Sequence, residues 1–552
     1  MIFEPLHRVL IPYTDIVTYL FSNPKYDPDR PVFIDVANPS RSISFNQARA
    51  IVRQLIAGLR AWGIKEGDCV AIHSFNDIYY PMLVLSIVGC GGIFTGTNPS
   101  YTPHELAHHF RASETKFVLS EPEPELLDPI LDAAGQVGIS QDRVRVFDTQ
   151  GQRIPKDRIS WRELFNHGQR PWVSFDDEVT AKTTSAARLF SSGTTGLPKA
   201  VTITHHNLVA QQELVFETNP RPYQPSRIIA VPLFHAAAAP STHFGLLKAG
   251  HTLYMMRRFE LSTYLHTFKK YKITDLGLVP PIAIAILMNR LTHTKPFLKS
   301  ARMATCGAAP LDKGVQGRIR MLMSEGAPFT QVWGMTETSC IAMNFPYPEG
   351  DDTGSVGRLI GNVEAKLVND AGENISAYNR PGELCVRGPT ITPGYFNNAA
   401  ANAEAFDEEG FFHTGDIAYC DRATRKWYIV DRKKELIKVR GFQVAPPELE
   451  AVLLAHPGIV DAAVIGVKGG SMDGDGGETE LPRAYVVRRP EAGVRLGEEE
   501  VREFLEARLA RFKALTGGVR FVEAIPKNAS GKILKRVLRE EAEKERRGEV
   551  RL

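Results

Sequence analysis

The sequence predicts an α/β protein: a large N-terminal region of layered sheets and helices over residues 1–430, then a small mobile α+β domain over residues 431–552. Three observations carry that expectation. Short apolar runs of strand length alternate with longer stretches of helical periodicity, the rhythm of layered and largely parallel sheets. Near Asp407 the texture changes to short alternating strands around a polar junction at 431–434, which suits a hinge. The 552 residues allow roughly three or four folding units at about 100–200 residues each.

In chain order, residues 44–62 set apolar side chains at helical spacing behind Ser44, a cap candidate, and Gly63 and Gly67 break the helix. Residues 69–73, 117–120, 228–233 and 275–279 are apolar runs of strand length. The apolar stretch 81–97 is short for a membrane span and reads as a buried helix ending at Gly91-Gly92. Farther on, 427–430, 462–467 and 483–488 read as strands. A helix is expected from about 446–448 and another over 498–511, with 469–477 a flexible surface loop. No repeat of solenoid type is present.

The composition (43% hydrophobic, 23% charged, 9% aromatic) is that of a globular protein, not a disordered, collagen-like or coiled-coil one. Sixty-six basic against 63 acidic residues leave a net charge of +3, which gives no reason to expect nucleic acid or an electrostatically held membrane partner. The six cysteines are scattered without a C-x-x-C, so neither a structural zinc site nor a thioredoxin-type centre is written here; reduced, mostly buried thiols are expected. The N-terminal residues lack a basic segment followed by an apolar one, and a cleaved signal is not expected. A cytoplasmic enzyme is the expectation. Val550-Arg551-Leu552 matches a peroxisomal address poorly and leaves that compartment open.

The most informative segment is 187–204, ARLFSSGTTGLPKAVTIT. A strand-like lead runs into Ser191, Ser192, Gly193, Thr194, Thr195 and Gly196, with Lys199 following. Glycines let backbone N–H groups turn inward, hydroxyls add donors, and the lysine adds charge: in composition, a phosphate cradle. It is not the G-x-x-x-x-G-K-[ST] loop, because Ala200 follows Lys199 and the glycine spacing differs.

SSGTTGLPK resembles the phosphate loop of the ANL adenylate-forming superfamily, which includes acyl- and aryl-CoA synthetases, adenylation domains of peptide synthetases and firefly luciferase. The match continues in order through VPLFH, TCGAAPL, QVWGMTET, GSVGRL, GELCVRGP, GYFNN, FHTGDIA, DRKKELIKVRGFQVAPPELE and PKNASGKILKR. The hinge segment is most similar to that of the 4-coumarate–CoA ligase and luciferase branch.

That resemblance implies an enzyme that joins a carboxylic acid to AMP from ATP, expels pyrophosphate, and lets the thiol of coenzyme A displace AMP. It also implies roles. The 191–196 loop and Lys199 hold the β- and γ-phosphates; Glu337 ligates Mg2+ and Thr336 touches phosphate. Gly307, Ala308, Ala309 and Trp333 flank adenine, with Trp333 standing where many relatives have tyrosine, and Gly334 and Met335 also bind the cofactor. Asp416 and Arg432 reach the ribose. Lys532 bridges substrate carboxylate and α-phosphate. Lys438 and Gln443 serve thiolation, Arg258, Arg440 and Gly441 contact CoA, and Lys434 is the pivot. His235 sits at the acyl pocket.

Two departures are specific to this chain. Ala200 stands where relatives usually have glycine. Ala236, Ala237, Ala238 and Ala239 follow His235 where amino-acid-activating relatives keep an aspartate, so an acid without an α-amino group is expected: a buried ammonium without a counter-charge is costly. These alanines are expected to wall a roomy pocket. Aryl, fatty and polyketide-like acids stay open, as do a carrier-protein phosphopantetheine acceptor and a non-catalytic binding protein. The oligomeric state is not written in the sequence.

Overall fold

The structure is a computed structural model, and it describes residues 1–191, 198–289, 291–292, 295–439, 442–468, 480–489, 496–528 and 531–547. The chain divides into two compact units: Ile2–Ala365 with Val386–Phe412, and Lys366–Cys385 with His413–Leu552 and Met1. Residues 431–434 thus lie inside the second unit, alongside 413–430.

Among the described residues the larger unit holds two large sheets and a two-stranded one, Met343–Asn344 with Arg358–Leu359. One has seven strands in the order Phe329–Gln331, Met303–Cys306, Asp275–Leu278, Ser226–Ile229, Thr252–Met255, Pro31–Asp35 and Ser42–Ser44. The other has six: Val144–Val146, Thr115–Ser120, Cys69–His73, Ile93–Gly96, Ser185–Ser191 and Lys199–Thr204. In each, every neighbouring pair is parallel except the last. Cys69–His73 is buried at all five positions, which is why it reads as an unbroken apolar run.

The helix expected behind Ser44 is Phe45–Ala61. Ser44 Oγ accepts from Gln47 N–H at 3.2 Å while Gln47 Oε1 accepts from Ser44 N–H at 2.8 Å, so two otherwise orphaned donors are satisfied reciprocally. The apolar stretch forms helix Tyr79–Gly89, buried almost all round, and Gly91 turns the chain out at φ +78° into strand Ile93–Gly96. Among the described residues no helix is long and apolar enough to cross a membrane. None of the six cysteines forms a disulfide; five are buried and Cys340 is half-buried.

Two expectations overshoot. The strand expected over 228–233 stops at Ile229. Pro232 cannot donate to a ladder, and the side chain of Asn76 instead takes the backbone, donating to Val231 O (3.0 Å) and accepting from Leu233 N–H (3.1 Å). The helix expected over 498–511 ends at Glu506, and Arg511–Lys513 forms a separate 3-10 turn.

Strands Glu364–Val368, Gly382–Arg387, Phe412–Cys420 and Trp427–Arg432, most of whose residues fall in the smaller unit, pair in chain order. Hairpin Ile437–Val439/Phe442–Val444 and helix Pro446–Leu454 follow. A three-stranded sheet (Ile459–Lys468, Glu480–Arg488, Val519–Phe521) packs with helices Glu498–Glu506 and Lys535–Arg546. Leu449, Leu453, Val464, Val486, Val501 and Leu505 form its core. The expected loop 469–477 lies outside the described residues.

Candidate adenylation site

In the larger unit, strands Ser185–Ser191 and Lys199–Thr204 form a hairpin in which Ser191 faces Lys199. The loop it carries, with Ser192, Gly193, Thr194, Thr195 and Gly196, lies outside the described residues. Ala200 is buried within the second strand. The segment 392–396 stitches onto that strand: Thr202 N–H donates to Gly394 O (3.0 Å) and Phe396 N–H to Ala200 O (2.8 Å). Tyr395 is thereby set beneath Lys199, whose ammonium lies 4.7 Å from the ring centroid.

Glu337 sits in the short 3-10 turn Thr336–Thr338, and both Thr336 and Glu337 are buried. Its Oε1 accepts from the Tyr395 hydroxyl at 3.0 Å, while its Oε2 is buried without a hydrogen-bond partner among the described residues. No cluster of three or more metal-ligating side chains exists among the described residues. One carboxylate with an uncommitted oxygen fits Mg2+, an ion usually held by one or two carboxylates together with substrate phosphates and water.

The parallel strands Met303–Cys306 and Phe329–Gln331 end side by side, so the loops bearing Gly307-Ala308-Ala309 and Trp333-Gly334-Met335 emerge together, the usual place for a ligand on such a sheet. Close packing dictates the small residues. A Cβ on Gly307 would meet Val332 Cγ2 at 2.8 Å, and one on Gly334 would lie 1.6 Å from Cys340 O. Trp333 is buried and paired through its backbone with Met343. Met335 is locked by the Thr338 hydroxyl, which accepts from Met335 N–H at 3.0 Å.

His235 is half-buried, and burial pushes its pKa down to about 4. Its Nδ1 accepts from Ala237 N–H at 3.1 Å. The ring is therefore neutral near pH 7 with its proton on Nε2, a donor. The alanine run divides. Ala236, Ala238 and Ala239 are buried, the last two at the start of helix Ala239–Phe244, and Ala237 alone is exposed. Cys340 Sγ approaches Ala237 O at 4.0 Å, a contact no motif announced. Arg258 is exposed with its guanidinium 4.7 Å from the ring centroid of Phe75.

In the smaller unit, Asp416 and Arg432 are directly opposite on neighbouring strands, with Arg432 Nε 3.2 Å from Asp416 Oδ1. Lys438 and Gln443 likewise face each other across a hairpin, and Lys438 is exposed. Arg440, Gly441 and the Gln443 side chain lie outside the described residues. Lys532 sits on a turn closed by Asn528: Lys532 N–H donates to Asn528 Oδ1 and Asn528 N–H to Lys532 O, both at 2.9 Å, with Gly531 at φ +84°. Lys532 itself is half-buried.

Residues 20–396 match the AMP-binding enzyme family, and residues 448–532 match the AMP-binding enzyme C-terminal domain. The chain belongs to the AMP-binding enzyme family. It is a member of the ANL adenylate-forming superfamily. This AMP-binding enzyme is 54% identical over 541 residues, 98% of each chain, to a phenylacetyl-CoA ligase of Aspergillus niger. It is 48% identical over 522 residues, 94% of this chain and 89% of the relative, to an acyl-CoA synthetase of Alternaria alternata. The ATP-bound MatB of Rhodopseudomonas palustris has the same fold, with a TM-score of 0.82, 27% identity and coverage of 96% of this chain and 99% of MatB.

Proposed function

We propose that this enzyme activates a carboxylic acid with ATP to an acyl-AMP, releasing pyrophosphate, and then transfers the acyl group to coenzyme A, giving acyl-CoA and AMP. The observation that carries the reading is the buried Glu337 carboxylate with one oxygen fixed by Tyr395 and the other uncommitted, in the same unit as Lys199. Attack of a carboxylate on a nucleotide drives anion against anion, so cations must be fixed in advance where charge develops. Lys199 and the 191–196 loop hold the outer phosphates. Glu337 would hold Mg2+, which when bound neutralises phosphate charge. The loops at 307–309 and 333–335 hold adenine, and Asp416 with Arg432 the ribose. Lys532 serves adenylation; Lys438, Gln443, Arg258, Arg440 and Gly441 serve the thiol step. Residues 431–552 turn about 431–434, with Lys434 as pivot, between the two half-reactions.

The acid lacks an α-amino group and carries an aryl or extended alkyl tail. Support comes from the absence of a carboxylate after His235, the small exposed side chain of Ala237, and the similarity to a phenylacetyl-CoA ligase. The compartment we propose is the cytoplasm. A panel of phenylacetic, benzoic, cinnamic and medium-chain fatty acids, with pyrophosphate release followed with and without CoA and thioesters identified by mass spectrometry, tests the reading. Acid-dependent pyrophosphate release with an acyl-CoA product is expected. Acid-dependent release without thioester would overturn the acceptor, and no release with any acid would overturn the activity.

A further inference from the structure

Tyr395 lies in the GYFNN segment, to which the sequence alone assigns no role. It lies between the two groups the proposed reaction needs on the nucleotide's phosphates. Its hydroxyl donates to Glu337 Oε1 at 3.0 Å, and its ring face receives the Lys199 ammonium at 4.7 Å. No ion pair joins Lys199 to Glu337 among the described residues. That separation matters. A lysine folded onto the carboxylate would neutralise both and leave neither for its ligand, whereas a phenol offers a donor to the anion and a π face to the cation.

The tyrosine is itself held on every side. It is 9% exposed. Asn402 clamps both of its backbone groups: Tyr395 N–H donates to Asn402 Oδ1 (2.7 Å), and Asn402 Nδ2 donates to Tyr395 O (3.0 Å). The residue pairs with Val201, and Gly394 leaves no room to shift, since a Cβ there would lie 2.7 Å from Asn402 Oδ1. Upstream, Thr392 N–H donates to Glu337 O at 2.8 Å, so the same short segment holds the backbone of the glutamate as well as its side chain. A carboxylate with one oxygen fixed cannot swing about its terminal torsion, and its second oxygen then points one way only.

We infer that Tyr395 is a positioning residue: it aims the free oxygen of Glu337 at a divalent cation and holds Lys199 apart for phosphate. The inference rests on the assignment of Glu337 and Lys199 to Mg2+ and the phosphates. Binding, rather than turnover, tests it. Calorimetric titration of ATP into the full chain, once in excess Mg2+ and once in EDTA, separates metal-dependent from metal-independent affinity. Tyr395→Phe keeps the ring and should lose about tenfold of the metal-dependent gain, the size expected for a hydrogen bond to a charged group, with affinity in EDTA unchanged. Tyr395→Leu removes the ring too and should also weaken binding in EDTA. Asn402→Ala touches only the backbone clamp and should give an intermediate loss of the metal-dependent gain, a second route to the same reading. Glu337→Gln is the control. If Glu337→Gln abolishes the gain while Tyr395→Phe and Asn402→Ala both retain it, the positioning role is overturned. If Glu337→Gln itself retains the gain, the metal assignment fails and takes the inference with it.

Discussion

The proposed phosphate site of the larger unit and the segment around 431–434 of the smaller one hold their polar groups in opposite ways. In the larger one, Glu337 and Lys199 are fixed by a neutral phenol in a buried frame stitched by backbone hydrogen bonds. In the smaller one, charge holds charge on turns and strand ends. Arg432 pairs with Asp416 (3.2 Å), Lys433 with Glu383 (2.9 Å) and Asp370 (3.2 Å), Glu435 with Arg539, and Lys535 with Glu450 (3.0 Å). Where one partner stays partly exposed to solvent, as Arg432, Lys433 and Arg539 do, such a pair is screened and exchanged more cheaply than a buried frame. A buried, preorganised frame costs more to disturb and needs no reorganisation when charge develops. A two-step ligase requires a fixed phosphate site and, on our proposal, a lysine-bearing region that moves between the steps.

The sharpest break of that comparison is at Lys532. If its turn serves one half-reaction only, Lys532→Ala should cut acyl-AMP formation by about 10²–10³-fold or more, the cost of losing one preorganised charge contact, while conversion of preformed acyl-AMP and CoA to thioester stays near wild type. Single-turnover assays of each half-reaction decide it; equal losses in both would show a general binding role. Lys438→Ala should give the reverse asymmetry, about 10²-fold in thioester formation with adenylation nearly unchanged. Were adenylation to fall as far, the assignment of that hairpin to the second step would be wrong.

How much of this was legible in the sequence follows the same division. Cys69–His73 and the Ser44-capped helix could be read because burial on all sides and capping leave local signatures. The end of strand Ser226–Ile229 could not, because the backbone beyond it is satisfied by Asn76, far away in sequence. The sequence pattern overextends helix 498–511 because Leu509 and Phe512 continue the apolar spacing into a turn that packs on the same core. Motifs named Asp416, Arg432, Lys438 and Gln443, yet only strand register makes them facing pairs. The bond from Tyr395 to Glu337 joins two motifs that no spacing rule connects.

A specificity test comes next in size. Only Ala237 of the alanine run is exposed, so Ala237→Phe should exclude bulky acids and spare short ones, moving the ratio of their kcat/KM values by about 10–200-fold. Affinity for ATP should hardly change. The buried alanines sharpen the reading: Ala239→Phe should lower the melting temperature by overpacking instead. A lower melting temperature for Ala237→Phe with an unchanged ratio would place that residue in packing rather than at the acid.

The smallest effect concerns an acid in the ion-pair region that is buried without full compensation among the described residues. Asp431 is 8% exposed at the proposed hinge, and its Oδ2 has no hydrogen-bond partner. Burial pushes its carboxyl up from 3.8 to about 7; Lys535 and the Arg432 N–H (2.7 Å to Oδ1) oppose that push, while Glu450 and Glu435 add to it. A native pKa above the unfolded one means that the folded chain binds more protons between about pH 4 and 7. Stability is therefore lost as pH rises through that window, and the cost is complete above it. Relaxation at an effective dielectric near 20 leaves about 1–2 kcal/mol of this, a few degrees in melting temperature. Asp431→Asn keeps the Oδ1 acceptor and removes the titration. Its new amide carries a cost that is the same at every pH, so the informative quantity is the difference between variant and wild type at pH 5 and at pH 8. That difference should shift by a few degrees in favour of the variant at pH 8. Parallel melting curves across the range would show that Asp431 is already ionised in the fold, and that the hinge is held by charge like the rest of its unit.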